Sequence, residues 1–194
     1  MVKHDIRLDH LSDQNGIISL YNPFFDILIE LAKEFNLPVR SPVVASVKYR
    51  DLFANSKMNK RGRQIAFRLA LTNPFKSIGL IKYSRIKEME RKVQKLEKLE
   101  ILHPDIFIDT FWGNPTAANF LHILEHLPNG VSEIILHCGT NTRQENYPSG
   151  LDLEYFRSRE NELITITSDY LKVYYSYLNI RTIGYSDIFN YKNK

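Results

Sequence analysis

The chain has 194 residues, which is enough for one packed domain or two very small ones. Hydrophobic residues make up 43% and charged residues 25% of it, so the composition excludes disordered, collagenous and low-complexity chains. The single cysteine, Cys138, excludes an intramolecular disulfide and any cysteine-rich zinc site.

The sequence contains neither a membrane-spanning run nor a signal core. No apolar stretch approaches the roughly 18 residues that a membrane helix needs. The first residues, Met1 to Asp5, lead into charged sequence. We therefore expect a soluble, cytoplasmic protein.

Charge is distributed unevenly along the chain, although the net charge is only +4. Residues 48–100 hold 15 lysines and arginines against 5 acidic residues, whereas the rest of the chain holds 11 against 17. A basic block of this kind either binds phosphate backbones or forms a solvated helical insertion. Because aromatic residues are sparse among the charges, the sequence favours the insertion over a nucleic-acid partner.

The predicted elements alternate between helices and strands, which indicates the α/β class. A helix is predicted over residues 22–35, with Asn22 as its N-cap and Pro23 at the first helical position. A short strand over residues 37–40 follows. Residues 41–100 are predicted to form a basic helical insertion, with helices at 62–71 and 83–99, within a single domain over residues 1–194.

The α/β pattern resumes after His103 and continues to the end of the chain. The pattern predicts strands at 105–108, 132–137 and 181–185, helices at 116–127 and 159–177, and a polar loop at 140–152.

Candidate functional residues follow from where active groups sit in α/β folds, at the carboxyl ends of strands. His137 comes directly after the apolar run Ile134–Leu136, so it is a candidate metal ligand or general acid, or else a histidine bonded to the backbone. Asp9, His10 and Asp13 could ligate a hard or borderline divalent metal, or form a solvated N-terminus.

Other residues have weaker functional signals. Trp112 could stack on a sugar ring or pack within its loop, and Arg159 could be a capping charge. His122 and His126 have the i, i+4 spacing of a helical zinc site, but they flank an apolar stripe as surface histidines do. Cys138 lacks a neighbouring base that would activate it as a nucleophile.

Several segments occur in a characteristic order, namely His103–Ile108, Phe111-Trp112-Gly113, Leu127–Gly139, Arg159–Leu163 and Asn179–Asp187. This order resembles the carboxyl-terminal part of the YdjC-like carbohydrate deacetylases. The earlier helix–strand run Ile29–Arg40 is similar to the same family.

The resemblance implies part of a distorted (β/α) barrel and an enzyme that hydrolyses the amide bond of N-acetylated amino sugars or oligosaccharides. It also implies a divalent metal, Mg²⁺ or Zn²⁺, that polarises the acetamide carbonyl. His137 matches the strand-end histidine of the family and is assigned to substrate contact or general acid catalysis. Trp112 and Arg159 lie in matching segments and are assigned to substrate binding.

The chain departs from the family pattern at the metal motifs. It has neither the opening Asn-Ala-Asp-Asp-Phe-Gly strand nor the Gly-Leu-His segment, as if it began about halfway through the family's metal site. The Asp-x-His-x-His motif falls on residues 13–17, where Asp13 is kept as the catalytic carboxylate and both histidines are absent. A gap in the alignment would bring Asp9 and His10 to the motif as metal ligands.

These departures leave an alternative open, namely a catalytically inactive relative that binds a carbohydrate or a protein. A barrel without its first strands would also expose sheet edges, which favour pairing with another chain. The expected partner is therefore either a second copy, in a homo-oligomer, or a separate amino-terminal fragment.

Overall fold

A computed structural model describes residues 8–12, 21–53, 67, 71, 86–140 and 153–192. Helices and short strands alternate in it, as the α/β prediction requires. In chain order the elements are α1 (Asn22–Phe35), α2 (Ala45–Lys48), α3 (Arg50–Phe53), α4 (Ile86–Lys98), β1 (Ile106–Ile108), α5 (Ala117–Glu125), β2 (Ser132–Ile134), α6 (Leu153–Ile166), α7 (Asp169–Tyr177), a 3₁₀ helix (Tyr185–Asp187) and α8 (Ile188–Lys192).

Strands β1 and β2 form a parallel pair, in which Phe107 lies opposite Glu133. Two isolated parallel bridges extend this arrangement, Leu11 with Val39 and Val44 with Phe107. Successive extended segments therefore run in the same direction, and their carboxyl ends lie on one edge. This small parallel sheet confirms the mixed α/β class, whereas a closed barrel is not formed by the residues described.

The core consists of two hydrophobic clusters. One cluster lies around β1, where Phe111 packs against Phe120 with the ring centroids 4.9 Å apart. The other joins α1 to α4 through Phe25, Leu28, Ile29, Ala32 and Leu96. Two lysines of α4 also contact α1. Lys92 lies over the Phe25 ring and Lys95 pairs with Asp26, so part of the basic charge of the predicted insertion helps to join the two helices.

Helix α1 confirms the predicted range but corrects its cap. The N-cap is Tyr21, and its side chain makes no capping hydrogen bond. Asn22 is already helical, with Pro23 within the first two helical positions. Because proline tolerates these positions, Pro23 fits a helix that already includes Asn22.

The predicted helix over residues 159–177 is wrong in its extent and continuity. The chain forms α6 and α7, which are separated at Thr167 and Ser168. The Thr167 hydroxyl donates to the Leu163 carbonyl and the Ser168 hydroxyl to that of Thr165, while Ser168 has an extended backbone. Such local side-chain bonds compete with the helical ladder and end α6 there.

Several predicted strands are shorter than expected. The predicted strand 132–137 ends at Ile134, and Val39 forms only a bridge within the predicted strand 37–40. Residues 181–184 form no strand, and Tyr185 begins the 3₁₀ helix instead. Most of the helix predicted at 62–71, the start of the one at 83–99 and most of the loop 140–152 lie outside the described residues.

Within the described ranges, none of the helices combines the length and the apolar character that a membrane crossing requires. The single-domain organisation and the boundaries of the insertion stay predictions.

We expect Gly130→Ala to destabilise the turn before β2. Gly130 has φ +113°, a left-handed conformation, and an added Cβ would overlap Asp105 Oδ2, which accepts the Val131 N–H at 2.7 Å. The expected loss is about 1–3 kcal/mol of unfolding free energy. Urea denaturation measures it, with the exposed neighbour Asn129→Ala as the control. Equal stability of the two variants would contradict the assignment.

Candidate functional site

The candidate site lies where β1 and β2 end. Asp109 follows β1 directly, and Trp112 lies half-buried in the loop beyond it. His137 lies three residues beyond β2. Because the two strands are parallel, these three residues belong to the same edge of the sheet, as active groups of α/β proteins do.

Helix α6 holds the segment that contains His137. The last ladder bond at this end of the sheet runs from Ile135 N–H to the Ile108 carbonyl, at 3.1 Å. Beyond it, the His137 N–H donates to Glu162 Oε2, and the Gly139 N–H donates to the Arg159 carbonyl at 3.3 Å. Glu162 and Arg159 are one turn apart on α6, so one face of this helix replaces the sheet as the partner of residues 137–139.

His137 is kept neutral by its surroundings. Burial lowers the pKa of its imidazole, and the guanidinium groups of Arg159 and Arg40 lower it further. Its Nδ1 atom is buried and has no hydrogen-bond partner among the described residues. A neutral imidazole beside two cations can accept a proton, and once protonated it is a stronger acid than an ordinary histidine.

Two carboxyl groups of the site have the opposite shift. Burial raises the pKa of Glu162, although the bond from the His137 N–H and the charge of Arg159 oppose the rise. Burial also raises the pKa of Asp109, whose Oδ2 accepts a hydrogen bond from the Ser46 hydroxyl at 3.4 Å. Perturbed acids and a perturbed base near one sheet edge are typical of functional sites.

A second group of side chains adjoins the first through Arg40. The Arg40 guanidinium pairs with Glu133 Oε1 at 2.8 Å, and both side chains are only 12% exposed. The Tyr185 hydroxyl donates to Glu133 Oε2 at 2.6 Å. Burial and the Glu133 carboxylate raise the pKa of Tyr185, so its hydroxyl remains a donor. Arg40 also lies over the Phe107 ring, 4.4 Å from its centroid.

The expected metal ligands Asp9 and His10 are hydrogen-bonded to each other. Asp9 Oδ1 lies 2.6 Å from His10 Nδ1, and the His10 ring stacks on Tyr185 with the centroids 4.0 Å apart. A carboxylate on one ring nitrogen leaves the other for a metal, as in many metal-bound histidines. This donor chemistry fits a metal, but the described residues contain no group of three ligating side chains. Further donors would have to come from outside the described ranges.

The structure brings together some of the predicted site residues. His137 and Arg159 lie side by side, and Arg40 connects them to the group around His10. Trp112 shares their edge of the sheet. Asp13, the expected catalytic carboxylate, lies outside the described residues.

Sequence reasoning missed the charged partners in this site, Arg40, Glu133, Glu162 and Tyr185. For Glu162 a signal was present, because the spacing of Arg159 and Glu162 puts both on one helix face. For Arg40 and Glu133 no local signal exists, since the two residues meet only when the segments pair.

The weaker candidates have structural explanations. His122 on α5 bonds to the Leu52 carbonyl at 2.9 Å, and His126, the residue after α5, bonds to the His122 carbonyl at 2.8 Å, as surface histidines do. Burial and the charge of Glu162 raise the pKa of the Cys138 thiol. A thiol with a raised pKa is a poor nucleophile at neutral pH.

Comparisons with known proteins concern the family and the fold of the chain. The family described as YdjC-like protein matches residues 1–176. A solved structure from Enterococcus faecalis V583, provisionally described as a cellobiose-phosphate cleavage protein, is similar in fold with a TM-score of 0.61 at 15% identity. The match covers 94% of this chain and 54% of that one, so this chain spans about half the length of the solved protein. No curated protein matches significantly.

We expect the imidazole of His137 to take up its proton at a lower pH than an ordinary histidine. Arg159→Gln removes one of the two nearby positive charges, so it should raise the pKa of His137 toward the ordinary value. NMR titration of the ring signals measures this. The exposed Arg157→Gln, on the same helix, is the control, and equal titration in both variants would contradict the assigned cause.

Proposed function

The chain belongs to the YdjC-like protein family, and we propose that it is a carbohydrate-processing hydrolase that removes N-acetyl groups from amino sugars. The observation that carries the proposal is the strand-end His137 beside Arg159 and Glu162, on the edge of the sheet where active groups collect. This residue set can transfer protons to and from a substrate, which amide hydrolysis requires.

The substrate class is supported by the fold neighbour. The Enterococcus protein is provisionally described as cleaving cellobiose phosphate, and cellobiose is a disaccharide with a β-linkage. We propose that this chain acts on a β-linked disaccharide or oligosaccharide that carries N-acetylated amino groups.

The reaction needs one proton removed and one proton supplied. The oxygen of water adds to the acetamide carbonyl carbon, the carbon–nitrogen bond breaks, and acetate and the sugar amine are released. Asp13 is the carboxylate that we assign to take the proton of water. His137, neutral at rest, receives a proton from Asp13 or from solvent water and then gives it to the departing nitrogen. Burial and two guanidinium groups make the protonated His137 a strong donor for this step.

Two further side chains are assigned to substrate binding. Trp112 offers an apolar ring face in the loop after β1, and such faces commonly pack against sugar rings. The Arg159 guanidinium lies over the Tyr155 ring at 4.4 Å, and its Nε has no hydrogen-bond partner among the described residues. We propose that Arg159 donates to an oxygen of the sugar or of its acetamide group.

A divalent metal, Mg²⁺ or Zn²⁺, is part of the proposal. His10 would hold it through the ring nitrogen that Asp9 leaves free, with Asp9 orienting the ring and further donors coming from outside the described residues. The metal would supply Lewis-acid polarisation of the acetamide carbonyl. The stacking of His10 on Tyr185 would fix the orientation of the imidazole.

We also propose that the parallel segments form part of a (β/α) barrel. Leu11 at one side and β2 at the other are the outermost parallel segments among the described residues. Exposed edges of this kind pair readily with other strands. A second copy of the chain or a separate amino-terminal fragment would complete the barrel.

We also propose that the protein is cytoplasmic.

The test is acetate release from the β-1,4-linked disaccharide of N-acetylglucosamine, followed by NMR with the sugar amine detected in parallel. We expect hydrolysis that stops with EDTA and resumes with Mg²⁺ or Zn²⁺. His137→Gln should lower kcat by about 100-fold or more, since loss of a general acid or base typically costs 10²–10⁴-fold. The matched control is His126→Gln, because His126 is a surface histidine directly after α5.

Three results would contradict this function. Full turnover by His137→Gln would remove His137 from the reaction. Binding of the disaccharide without acetate release would favour the carbohydrate-binding alternative. Release of a glucose unit from phosphorylated cellobiose, without acetate release from the acetylated disaccharide, would favour cleavage of a glycosidic bond.

A further inference from the structure

Glu162 of α6 is a carboxylic acid in a position that is shielded from water. Its side chain is fully buried, with 0% exposure. One oxygen accepts the main-chain N–H of His137, and the other has no hydrogen-bond partner among the described residues. Burial of a carboxyl group costs several kcal/mol when its hydrogen bonds are incomplete. A role in filling space alone would be served better by an apolar side chain.

The hydrogen bond between Glu162 and His137 lies directly beyond the end of the hydrogen-bond ladder between β1 and β2. Ile135 makes the last ladder bond, so the N–H of His137 would otherwise be unpaired. Glu162 supplies the acceptor, and Arg159 supplies its carbonyl to Gly139 two residues later. The backbone on either side of the His137 side chain is therefore fixed by α6.

We propose that Glu162 is a positioning residue for His137, whose carboxyl group fixes the backbone from which the imidazole meets the substrate. This inference rests on the proposed function of His137. The contact with substrate belongs to the imidazole, and Glu162 acts through the main chain of His137. A small misplacement of a catalytic group is costly, since an error of about 1 Å can lower a rate by about 100-fold.

The charged and titratable groups around this contact come from three parts of the chain. Arg159 lies on the same face of α6 as Glu162, and its charge favours the carboxylate form. Arg40 approaches His137 from the segment after Val39, and Cys138 adjoins Glu162 from the strand end. A glutamine at position 162 would keep the size and the acceptor oxygen but would remove the charge that these groups face.

The first test is spectroscopic and does not depend on turnover. In the full chain, Glu162→Gln should move the amide proton signal of His137 upfield, because a neutral acceptor forms a weaker bond than a carboxylate. Glu160→Gln, on the same helix, should leave that signal in place. An unchanged His137 signal in Glu162→Gln would overturn the proposal, and so would a loss of thermal stability without any change at His137.

The second test separates positioning from folding. With the β-1,4-linked N-acetylglucosamine disaccharide, Glu162→Ala should lower kcat about 100-fold with KM changed less than about twofold, and Glu162→Gln should restore most of the rate. Equal kcat in all three proteins would overturn the proposal. If Glu162→Ala does not fold, the position of the His137 amide proton signal in Glu162→Gln, compared with that in Glu160→Gln, decides.

The two proposals can fail separately. If the unaltered chain releases no acetate while Glu162→Gln moves the His137 signal, the deacetylase function fails and the hold of Glu162 on His137 stands. If acetate is released, but the His137 signal does not respond to Glu162→Gln and kcat does not respond to Glu162→Ala, the function stands and the positioning role fails.

Discussion

The ion pair between Arg40 and Glu133 connects parts of the chain that are far apart in sequence. Arg40 follows the bridge of Val39 with Leu11, and Glu133 lies in the middle of β2. The Tyr185 hydroxyl binds the second oxygen of Glu133, which ties the carboxyl-terminal 3₁₀ helix to the sheet. Because both charged side chains are largely shielded from water, removal of either one would leave the other charge buried without its partner. The relative placement of the sheet, the amino-terminal segment and the 3₁₀ helix depends on this pair.

The same pair contributes to the electrostatics of the candidate site, where burial has the largest effect on His137. Arg40, held by Glu133, approaches His137 from one part of the chain, and Arg159 approaches it from α6. Each guanidinium has a carboxyl group beside it, Glu133 for the first and Glu162 for the second. Burial and the two guanidinium groups together favour the neutral imidazole in the resting protein. A histidine of this kind is a strong proton donor once it is protonated.

Elements with a strong local pattern could be predicted from the sequence, and contacts between distant segments could not. The apolar spacing of residues 22–35 predicted α1, and the run Ile106–Ile108 predicted β1, because burial imposes these periods locally. The break between α6 and α7 was missed since the apolar period continues through it while the hydroxyl groups of Thr167 and Ser168 end the helix. His137 was found from its place after a strand. The carboxylates that hold or balance the site have no such local signature, because they acquire their partners through tertiary packing.

The account depends most on whether an acetylated sugar binds at the strand end around His137. The most direct measurement is an NMR titration of the isotope-labelled chain with the β-1,4-linked disaccharide of N-acetylglucosamine, with cellobiose as the unacetylated control. We expect saturable shifts of the His137, Gly139 and Arg159 signals with the acetylated disaccharide. These shifts should be larger than the shifts with cellobiose. Shifts confined to the exposed face of α1, or equal shifts with both sugars, would contradict it.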